Sequence, residues 1–243
     1  MTAEFQTGDL IGSGRVADVI THGSNVIKLY REGHGKHEAF REAAILSVLE
    51  DADLPTPSVY AVKQFGGRWG LEMSRAPAAT ISLRGERLAT WLAQLHWRLH
   101  QVRGTALTSF KQKLWRNIEG ASQLGSEDRT RLLLRLRNLP DDDCLCHGDF
   151  HPANIMGSEV DPQVVDWLDA TSGPALADAC RTYLLALRHF PQLAGPYLAA
   201  YARASGCPEE QILVWLPIVA AARLSENVVD EVPRLLVLAK ANA

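Results

Sequence analysis

Hydrophobic and polar residues alternate along the first third of the chain as they do in antiparallel strands. The alternation over residues 16–20 leads through the turn-forming stretch 22–25 into the apolar segment 26–30, which predicts a β-hairpin. Two more strands are predicted at residues 59–64 and 69–73, because a Gly-Gly turn separates them. This part of the chain is therefore predicted to form a mostly antiparallel sheet.

The hydrophobic spacing becomes helical in two regions. Residues 36–50 carry apolar side chains at helical intervals, and the prolines that follow end this helix. Beyond a linker at residues 76–79 the pattern is mainly helical, apart from short β-like segments between residues 144 and 166. Helices are predicted there at residues 84–102, 109–123 and 127–139 and again from residue 174. The predicted fold class is α+β, with a β-rich domain of residues 1–75 that contains one helix and a mainly helical domain of residues 76–243.

Composition and charge narrow the class of protein. The 243 residues are 47% hydrophobic and 22% charged, which is ordinary for a globular chain. The net charge of -3 and the pI near 6.2 argue against a nucleic-acid-binding protein, which usually carries a basic face. The longest apolar stretch, residues 214–222, is much shorter than the roughly 20 residues that span a bilayer. Residues 1–10 lack a signal-peptide pattern, so we expect a cytoplasmic protein with no membrane partner.

The cysteines do not indicate a disulfide framework or a zinc site. Cys144 and Cys146 precede His147, but no second cysteine pair lies nearby. Structural zinc sites usually need four ligands, with the cysteines of each pair two to four residues apart. We therefore expect reduced cysteines that act as small core residues.

Three polar residues carry the clearest chemistry. Asp149 and Asn154 lie five residues apart in a loop pattern, and Asp166 ends the short apolar segment that follows. Such oxygen ligands suit Mg²⁺, and phosphoryl transfer requires metal ligands together with an acceptor of the nucleophile's proton. The alternative is a turn in which Asp and Asn side chains bond to their own backbone. The His-Gly before Asp149 and the presence of Asp166 favour a metal and phosphate site.

Two motifs resemble those of a known family. His-Gly-Asp-Phe-His-Pro-Ala-Asn-Ile at residues 147–155 and Val-Val-Asp-Trp at residues 164–167 resemble the catalytic and metal motifs of the aminoglycoside phosphotransferase-like kinases. The resemblance implies a bilobal protein-kinase-like fold with a five-stranded N-lobe and a helical C-lobe. It also implies transfer of phosphate from ATP or GTP, with Mg²⁺, to a hydroxyl group of a small molecule.

The resemblance also assigns roles to individual residues. Asp149 would orient and deprotonate the acceptor hydroxyl, while Asn154 and Asp166 would hold Mg²⁺. His147 would support the catalytic loop, and Asp178 would anchor that loop without reacting.

Gly12, Ser13 and Gly14 are interpreted as a glycine-rich loop that covers the nucleotide phosphates. The competing interpretation is a Rossmann dinucleotide loop, but that motif opens a helix, whereas this one opens a predicted hairpin. A plain glycine turn is a further alternative. The Gly-x-x-x-x-Gly-Lys-Ser/Thr pattern is absent from the sequence, which excludes the P-loop NTPases.

Lys28 lies within the apolar segment 26–30, where a lysine is ordinarily the solvent-facing residue of a half-buried strand. The order of glycine loop, strand lysine and helix glutamate resembles the nucleotide clamp of kinases. The resemblance makes Lys28 a ligand of the α- and β-phosphates and Glu42 its partner, with Glu38 as the alternative partner. It assigns adenine binding to the backbone from Met73 onward.

His96 and His100 have the i, i+4 spacing of some zinc sites, but Trp97 stands where the metalloprotease motif carries glutamate. The two histidines match a Leu-His pattern of the resembled family, and we predict that both are structural.

The acceptor is predicted from charge and from the resemblance. Seven acidic residues could form a rim for a polycationic sugar, with a solvated surface as the alternative: Asp141, Asp142, Asp143, Asp169, Glu226, Asp230 and Glu231. The resemblance favours an aminoglycoside-type, cationic acceptor over a choline-, ethanolamine- or sugar-type alcohol. A catalytically silent kinase-like binding module is the alternative from another class. No oligomeric state is predicted.

Overall fold

The β-rich and the helical parts of the sequence fold into two units of the computed structural model, which describes residues 8–78 and 81–241. The β-rich unit combines the chain up to Ser82 with Ala153–Leu168, and the helical unit combines Leu83–Pro152 with the chain from Asp169 onward. The predictions for residues 1–7 and for Ala79 in the linker lie outside the described residues.

The described strands are short, and in chain order they are β1 (Leu10–Ser13), β2 (Ala17–His22), β3 (Asn25–Tyr30), β4 (Val59–Phe65), β5 (Arg68–Ser74), β6 (Cys144–Cys146), β7 (Ile155–Gly157), β8 (Pro162–Val164) and β9 (Thr171–Gly173). The described helices are α1 (Lys36–Leu49), α2 (Gly85–His100), α3 (Phe110–Gly120), α4 (Ser126–Asn138), α5 (Ala175–His189), α6 (Pro191–Ser205), α7 (Glu209–Leu213), α8 (Leu216–Arg223) and α9 (Val232–Lys240). Every strand and helix that the hydrophobic pattern predicted before residue 140 is present, with bounds that differ by a few residues.

A five-stranded antiparallel sheet forms the centre of the β-rich unit, with the strand order β1-β2-β3-β5-β4. Apolar side chains from its strands make a buried cluster of Ile20, Ile27, Leu29 and Phe65. The helix α1 packs on β4 and β5 through the face that carries Leu46 and Leu49. The hairpin β7–β8 belongs to the same unit, because the Val164 N–H donates to the Pro55 carbonyl at 2.7 Å.

Helices dominate the second unit, together with the small antiparallel pair β6–β9. The helix α2 packs along α6, and α5 packs against both α6 and α8. The buried face of α2 contains leucine and alanine side chains and also two histidines, His96 and His100. Because β6 pairs with β9 just before α5 begins, the segment after β6 is held close to the N-terminal turn of α5.

The structure also bears on the predictions about membrane spans and cysteines. In residues 8–78 and 81–241, no helix has the length and apolar character that crossing a bilayer requires. All four cysteines are free thiols, and Cys146 and Cys180 are buried.

Candidate active site

Lys28 lies at the centre of a group of charges in the β-rich unit. It is only 7% exposed, and its Nζ lies 2.8 Å from Glu42 Oε2 and 2.7 Å from Asp166 Oδ1. Burial lowers the pKa of Lys28, but the charges of Glu42 and Asp166 outweigh burial and raise this pKa above its ordinary value. The ammonium group therefore stays charged. Lys28 is not the solvent-facing residue that its strand position alone suggested.

Glu42 is the buried partner of Lys28. It is 1% exposed on α1, and its Oε2 also accepts a hydrogen bond from the Tyr30 hydroxyl. Burial, and next the negative charge of Glu42, raise the pKa of Tyr30, so the hydroxyl stays protonated and donates. Glu38 instead accepts from the Gly35 N–H at 2.8 Å and caps α1. Between the two glutamates, the structure pairs Lys28 with Glu42.

Asn154 and Asp166 flank the hairpin β7–β8 at the same end. The pairing of Ile155 with Val164 continues through the Val165 N–H, which donates to the Asn154 carbonyl at 2.9 Å. Asp166 has a φ of 65°, a backbone conformation that residues other than glycine rarely adopt, and its side chain is 48% exposed. A carboxylate and a side-chain amide oxygen are the hard oxygen ligands that Mg²⁺ prefers, so these two residues fit a magnesium site.

Gly12 and Ser13 form the end of β1, and Gly14 begins the turn that leads to β2. Gly12 pairs with Val19, and the Gly14 N–H donates to the Ala17 carbonyl at 2.9 Å. The motif is thus a strand–loop–strand, and the Rossmann interpretation, which requires a helix after the glycines, does not fit.

Met73 lies inside the sheet of the β-rich unit. It pairs with Val26 on β3 and with Val59 on β4, and it is 7% exposed. Its side chain therefore contributes to the sheet's packing, while the backbone leaves the sheet after Ser74.

The loop that carries Asp149 is anchored by Asp178 in the helical unit. Asp178 is fully buried, and its two carboxylate oxygens accept from the His147 N–H at 2.7 Å and the Gly148 N–H at 3.0 Å. Gly148 has a φ of 80°, and a Cβ there would lie 2.6 Å from the Asp169 carbonyl oxygen, so only glycine fits. The Asp149 N–H donates to His147 Nδ1 at 3.2 Å. Successive backbone groups of this loop are therefore held, as predicted for His147 and Asp178.

His96 and His100 complete the environment of Asp178. Their Nε2 atoms lie 3.1 Å and 3.4 Å from Asp178 Oδ2, and their Nδ1 atoms lie 2.7 Å and 2.6 Å from the hydroxyls of Tyr197 and Tyr201. The three residues could hold a metal ion by proximity, but each ring nitrogen already has a hydrogen-bond partner. Burial, and next the proximity of His100, lower the pKa of His96 to about 3, so this imidazole is neutral. The arrangement is a complete hydrogen-bond network.

Asp149 itself is a partly buried carboxylate with positive neighbours. Its Oδ2 lies 3.5 Å from His151 Nε2, and its side chain is 27% exposed. Burial raises the pKa of Asp149, but the hydrogen bond from His151 and the charge of Arg181 outweigh burial and hold this pKa well below its ordinary value. Asp149 is therefore ionised at neutral pH and can accept a proton.

A small apolar pocket adjoins this loop within the helical unit. Aromatic rings form much of its wall, together with aliphatic side chains and Thr182; the lining residues are Leu92, Phe150, His151, Pro152, Thr182, Ala186, Phe190, Leu193 and Tyr197. The cavity volume is about 10 Å³, which is room for roughly one water molecule. A ligand would therefore have to displace some of the lining side chains in order to enter.

Most residues of the predicted acidic rim have basic partners. Carboxylate-to-cation distances are 2.5 Å for Asp169 and Lys113, 3.0 Å for Glu226 and Arg181, 3.0 Å for Glu231 and Arg223, 3.2 Å for Asp142 and Arg103, and 3.7 Å for Asp230 and Arg188; Asp143 also pairs with Arg103. These carboxylates are neutralised within the chain, which weakens their attraction for a cationic ligand.

Sequence reasoning missed three side chains that shape the site. Tyr30 lies two residues after Lys28 on the same strand, so the period of two places both on one face of the sheet. Arg181 lies one helical turn after Asp178 among alanine and cysteine, and a charge in so apolar a helix was a detectable signal. His151, two residues after Asp149, gave no signal of its own.

Comparisons with known proteins identify similar chains. The sequence model of the phosphotransferase enzyme family matches residues 12–214. A search of curated protein sequences finds no significant match.

Solved structures show the same fold. An aminoglycoside-3'-phosphotransferase of type VIII matches with a TM-score of 0.62 and 20% identity, over 92% of this chain and 93% of that one. A thermostable aminoglycoside phosphotransferase APH(4)-Ia, in a ternary complex with AMP-PNP and hygromycin B, matches with a TM-score of 0.68 and 13% identity, over 98% and 96%. A choline kinase from Streptococcus pneumoniae matches with a TM-score of 0.67 and 15% identity, over 97% and 94%. These likenesses confirm the predicted protein-kinase-like fold.

Proposed function

Because the chain belongs to the phosphotransferase enzyme family, we propose that it transfers the γ-phosphate of ATP or GTP to a hydroxyl group of a small molecule. The observation that carries this proposal is the pairing of Lys28 with both Glu42 and the half-exposed Asp166. Phosphoryl transfer depends mainly on positioning and on neutralising negative charge. A buried ammonium group with one exchangeable carboxylate partner is suited to that task.

In this proposal the β-rich unit binds the nucleotide. The glycine loop of residues 12–14 covers the phosphates, Lys28 contacts the α- and β-phosphate oxygens, and Glu42 holds Lys28 in place. The backbone from Met73 onward binds adenine. Nucleotide complexes of a structurally similar aminoglycoside phosphotransferase, with AMP-PNP and with ADP, support a nucleotide donor.

Asn154 and Asp166 are the proposed magnesium ligands. They come from one hairpin and supply an amide oxygen and a carboxylate, the ligand types that Mg²⁺ takes. When bound there, the ion neutralises charge on the phosphates that Lys28 alone leaves uncompensated.

Asp149 is the proposed acceptor of the hydroxyl proton. Its carboxylate is ionised, partly exposed and held by a loop whose backbone groups are bound to Asp178 and His147. As the acceptor oxygen bonds to the γ-phosphorus, the bond from that phosphorus to the β–γ bridging oxygen breaks and ADP or GDP leaves with the electron pair, while the hydroxyl proton passes to a carboxylate oxygen of Asp149. Fixed geometry of this kind lowers the entropic cost of reaching the transition state.

The first candidate acceptor is a hydroxyl of an aminoglycoside-type molecule. The solved structures that the chain resembles support it, since one contains hygromycin B and another streptomycin. The exposed Asp141, together with the incompletely neutralised side chain of Asp230, would attract such a cation.

The second candidate acceptor is a choline- or ethanolamine-type alcohol, and the pocket beside the catalytic loop favours it. Phe150, Phe190 and Tyr197 provide aromatic walls of the kind that bind ammonium groups by cation–π interaction. A choline kinase is among the structures with the same fold.

The test is ADP or GDP release with Mg²⁺ across a panel of aminoglycosides, choline, ethanolamine and simple sugars. We expect one acceptor class to stimulate release, and Asp149→Asn to abolish the stimulation. Asp51→Asn, which changes an exposed carboxylate after α1, is the matched control and keeps full activity. Nucleotide binding without release on every acceptor would favour the silent binding module and contradict the proposal.

A further inference from the structure

Two successive peptide groups of the catalytic loop are held from one helix, α5. The Gly148 N–H donates to Asp178, and the Gly148 carbonyl, which belongs to the peptide bond that leads to Asp149, accepts from Nε of Arg181. Arg181 lies one turn after Asp178 and is 7% exposed. The direction in which Asp149 leaves the loop is thus set by two side chains of α5.

Arg181 is in turn held by residues near the C-terminal end of the described chain. Arg181 Nη2 lies 3.0 Å from Glu226 Oε1, and Glu226 Oε2 lies 2.5 Å from Arg223 Nη1. Arg223 makes two bonds of 3.0 Å to Glu231. Arg181, Arg223 and Glu231 are each no more than 8% exposed. Each arginine is paired with a glutamate, and this pairing offsets the cost of removing the charges from water. We call Glu226, Arg223 and Glu231 the C-terminal relay.

Arg181 also supplies charge beside Asp149. The titratable and charged groups that face Asp149 within the helical unit are His147 and His151 from its own loop, Asp169 from the turn before β9, and Arg181 from α5. Lys113 on α3 pairs with Asp169 and so compensates the negative charge of Asp169. Among the groups that face Asp149 directly, Arg181 carries the positive charge that persists at every working pH, because guanidinium does not deprotonate in proteins.

We propose that Arg181 is the positioning residue for Asp149: it fixes the Gly148–Asp149 peptide, keeps a permanent positive charge beside the carboxylate, and is itself held by the C-terminal relay. The inference rests on the proposed function, since it assumes that Asp149 accepts the hydroxyl proton. It adds that Glu226, Arg223 and Glu231 act on catalysis through Arg181 and without contacting substrate.

The test compares Arg181→Gln, Arg181→Lys and Glu226→Gln with Arg203→Gln, which changes an exposed arginine on α6. We expect Arg181→Gln to lower kcat by about 10²-fold with little change in the nucleotide KM, because misplacement of a catalytic group acts on kcat. The acidic limb of the pH profile moves to higher pH, since Asp149 loses its permanent positive neighbour. Arg181→Lys restores part of kcat, Glu226→Gln shifts kcat in the same direction by less, and Arg203→Gln leaves kcat unchanged.

A second measurement separates this inference from the proposed function. Carbon NMR of labelled aspartate follows the Asp149 carboxyl during titration, whether or not an acceptor is known. We expect its midpoint to rise in Arg181→Gln. If the single variant does not fold, Arg181→Gln/Glu226→Gln, which removes both charges of the pair, is titrated in its place. The role of Arg181 would be overturned if these variants kept the kcat, the pH profile and the titration midpoint of the wild type. If the wild type is inactive on every acceptor but the midpoint still shifts as expected, only the proposed function is overturned.

Discussion

Lys28 in the β-rich unit and Asp178 in the helical unit are both buried charges, but their partners differ in exposure. Lys28 pairs with the buried Glu42 and with Asp166, whose side chain is 48% exposed. Asp178 accepts from two backbone N–H groups and lies against two imidazoles that are themselves fully enclosed. Lys28 therefore has one partner at the surface, whereas the described hydrogen-bond partners of Asp178 are all buried.

This difference separates a group that can exchange partners from one that cannot. A phosphate oxygen can replace Asp166 at Lys28 without leaving an isolated charge inside the protein, because Glu42 remains. A ligand that replaced either backbone donor of Asp178 would have to reorganise the loop that carries Asp149. Buried charge by itself thus does not distinguish a binding residue from a structural one, whereas the exposure of the partner does.

Apart from the loss of activity expected for Asp149→Asn, the largest expected effect on activity comes from Asp166→Asn. We expect kcat to fall by about 10³-fold, because the substitution removes the carboxylate that we propose as a magnesium ligand, whose contribution to the transition state is several kcal/mol. Asparagine accepts the positive φ of this position, so the midpoint of thermal unfolding should stay close to that of the wild type. Steady-state kinetics and calorimetry on the same sample check both parts.

The largest expected effect on stability comes from Asp178→Asn. Removing this buried charge leaves four donors facing an amide, and we expect the free energy of unfolding to fall by about 3–5 kcal/mol. Urea denaturation measures the change, with Asp166→Asn as the matched control. A variant as stable as the wild type would remove the distinction between the two sites.

Glu42→Gln tests whether the buried partner of Lys28 is needed once nucleotide is bound. We expect kcat/KM for the nucleotide to fall by about 10- to 100-fold, roughly the effect of misplacing one contact. Glu38→Gln is the matched control on the same helix, and it should leave the kinetics unchanged because Glu38 caps α1 and pairs with His34 rather than with Lys28. Equal effects of the two substitutions would show that the pairing of Lys28 with Glu42 has no special role.

Tyr30→Phe is expected to have a smaller effect. It removes the hydroxyl that donates to Glu42, and a buried acceptor that loses one hydrogen bond costs about 1–3 kcal/mol of stability. Lys28 still neutralises Glu42, so the nucleotide KM should change by less than about threefold. Thermal unfolding and nucleotide titration check the two expectations separately, and a large change in KM with unchanged stability would contradict this account of Tyr30.

The smallest expected effect is that of mild acid on Asp149. Its pKa in the folded protein is depressed, so the carboxylate stays ionised as the pH falls through the range near 4 where an ordinary aspartate protonates. The stabilisation that comes with this ionisation is present above the unfolded pKa and is lost only as pH falls toward the folded pKa. A pH profile of kcat, taken at saturating nucleotide, should show no acidic limb from Asp149 above about pH 4. An acidic limb above about pH 4 whose midpoint matches the titration of the Asp149 carboxyl in carbon NMR would contradict this expectation.

The sequence predicted the fold well because its signals were local. Period-two alternation and the Gly-Gly turn predicted strands β2 to β5, and paired prolines marked the end of α1. The strands β1 and β9 gave weaker patterns: β1 is largely exposed, so its alternation has no buried face, and β9 has three residues. Such strands are defined by pairing with a distant partner, which a window of sequence does not reveal.

The candidate site could be predicted where its residues lie close together in the sequence. Asp149, Asn154 and Asp166 were proposed from one short segment, and the resemblance added Lys28 and Glu42. The burial of Lys28 and the choice between Glu42 and Glu38 required the packing of α1 on the sheet. Arg181 was not proposed, because its contacts join residues more than thirty positions apart along the chain.

The central claim is that this chain moves phosphate from a nucleotide to a small hydroxyl compound through Asp149. The direct measurement is phosphorus NMR of a reaction with ATP, Mg²⁺ and the acceptor that gives the greatest release of ADP. The account predicts a phosphate ester that forms in step with ADP in the wild type and is absent with Asp149→Asn. Free phosphate without an ester, or an ester formed equally by the variant, would contradict it.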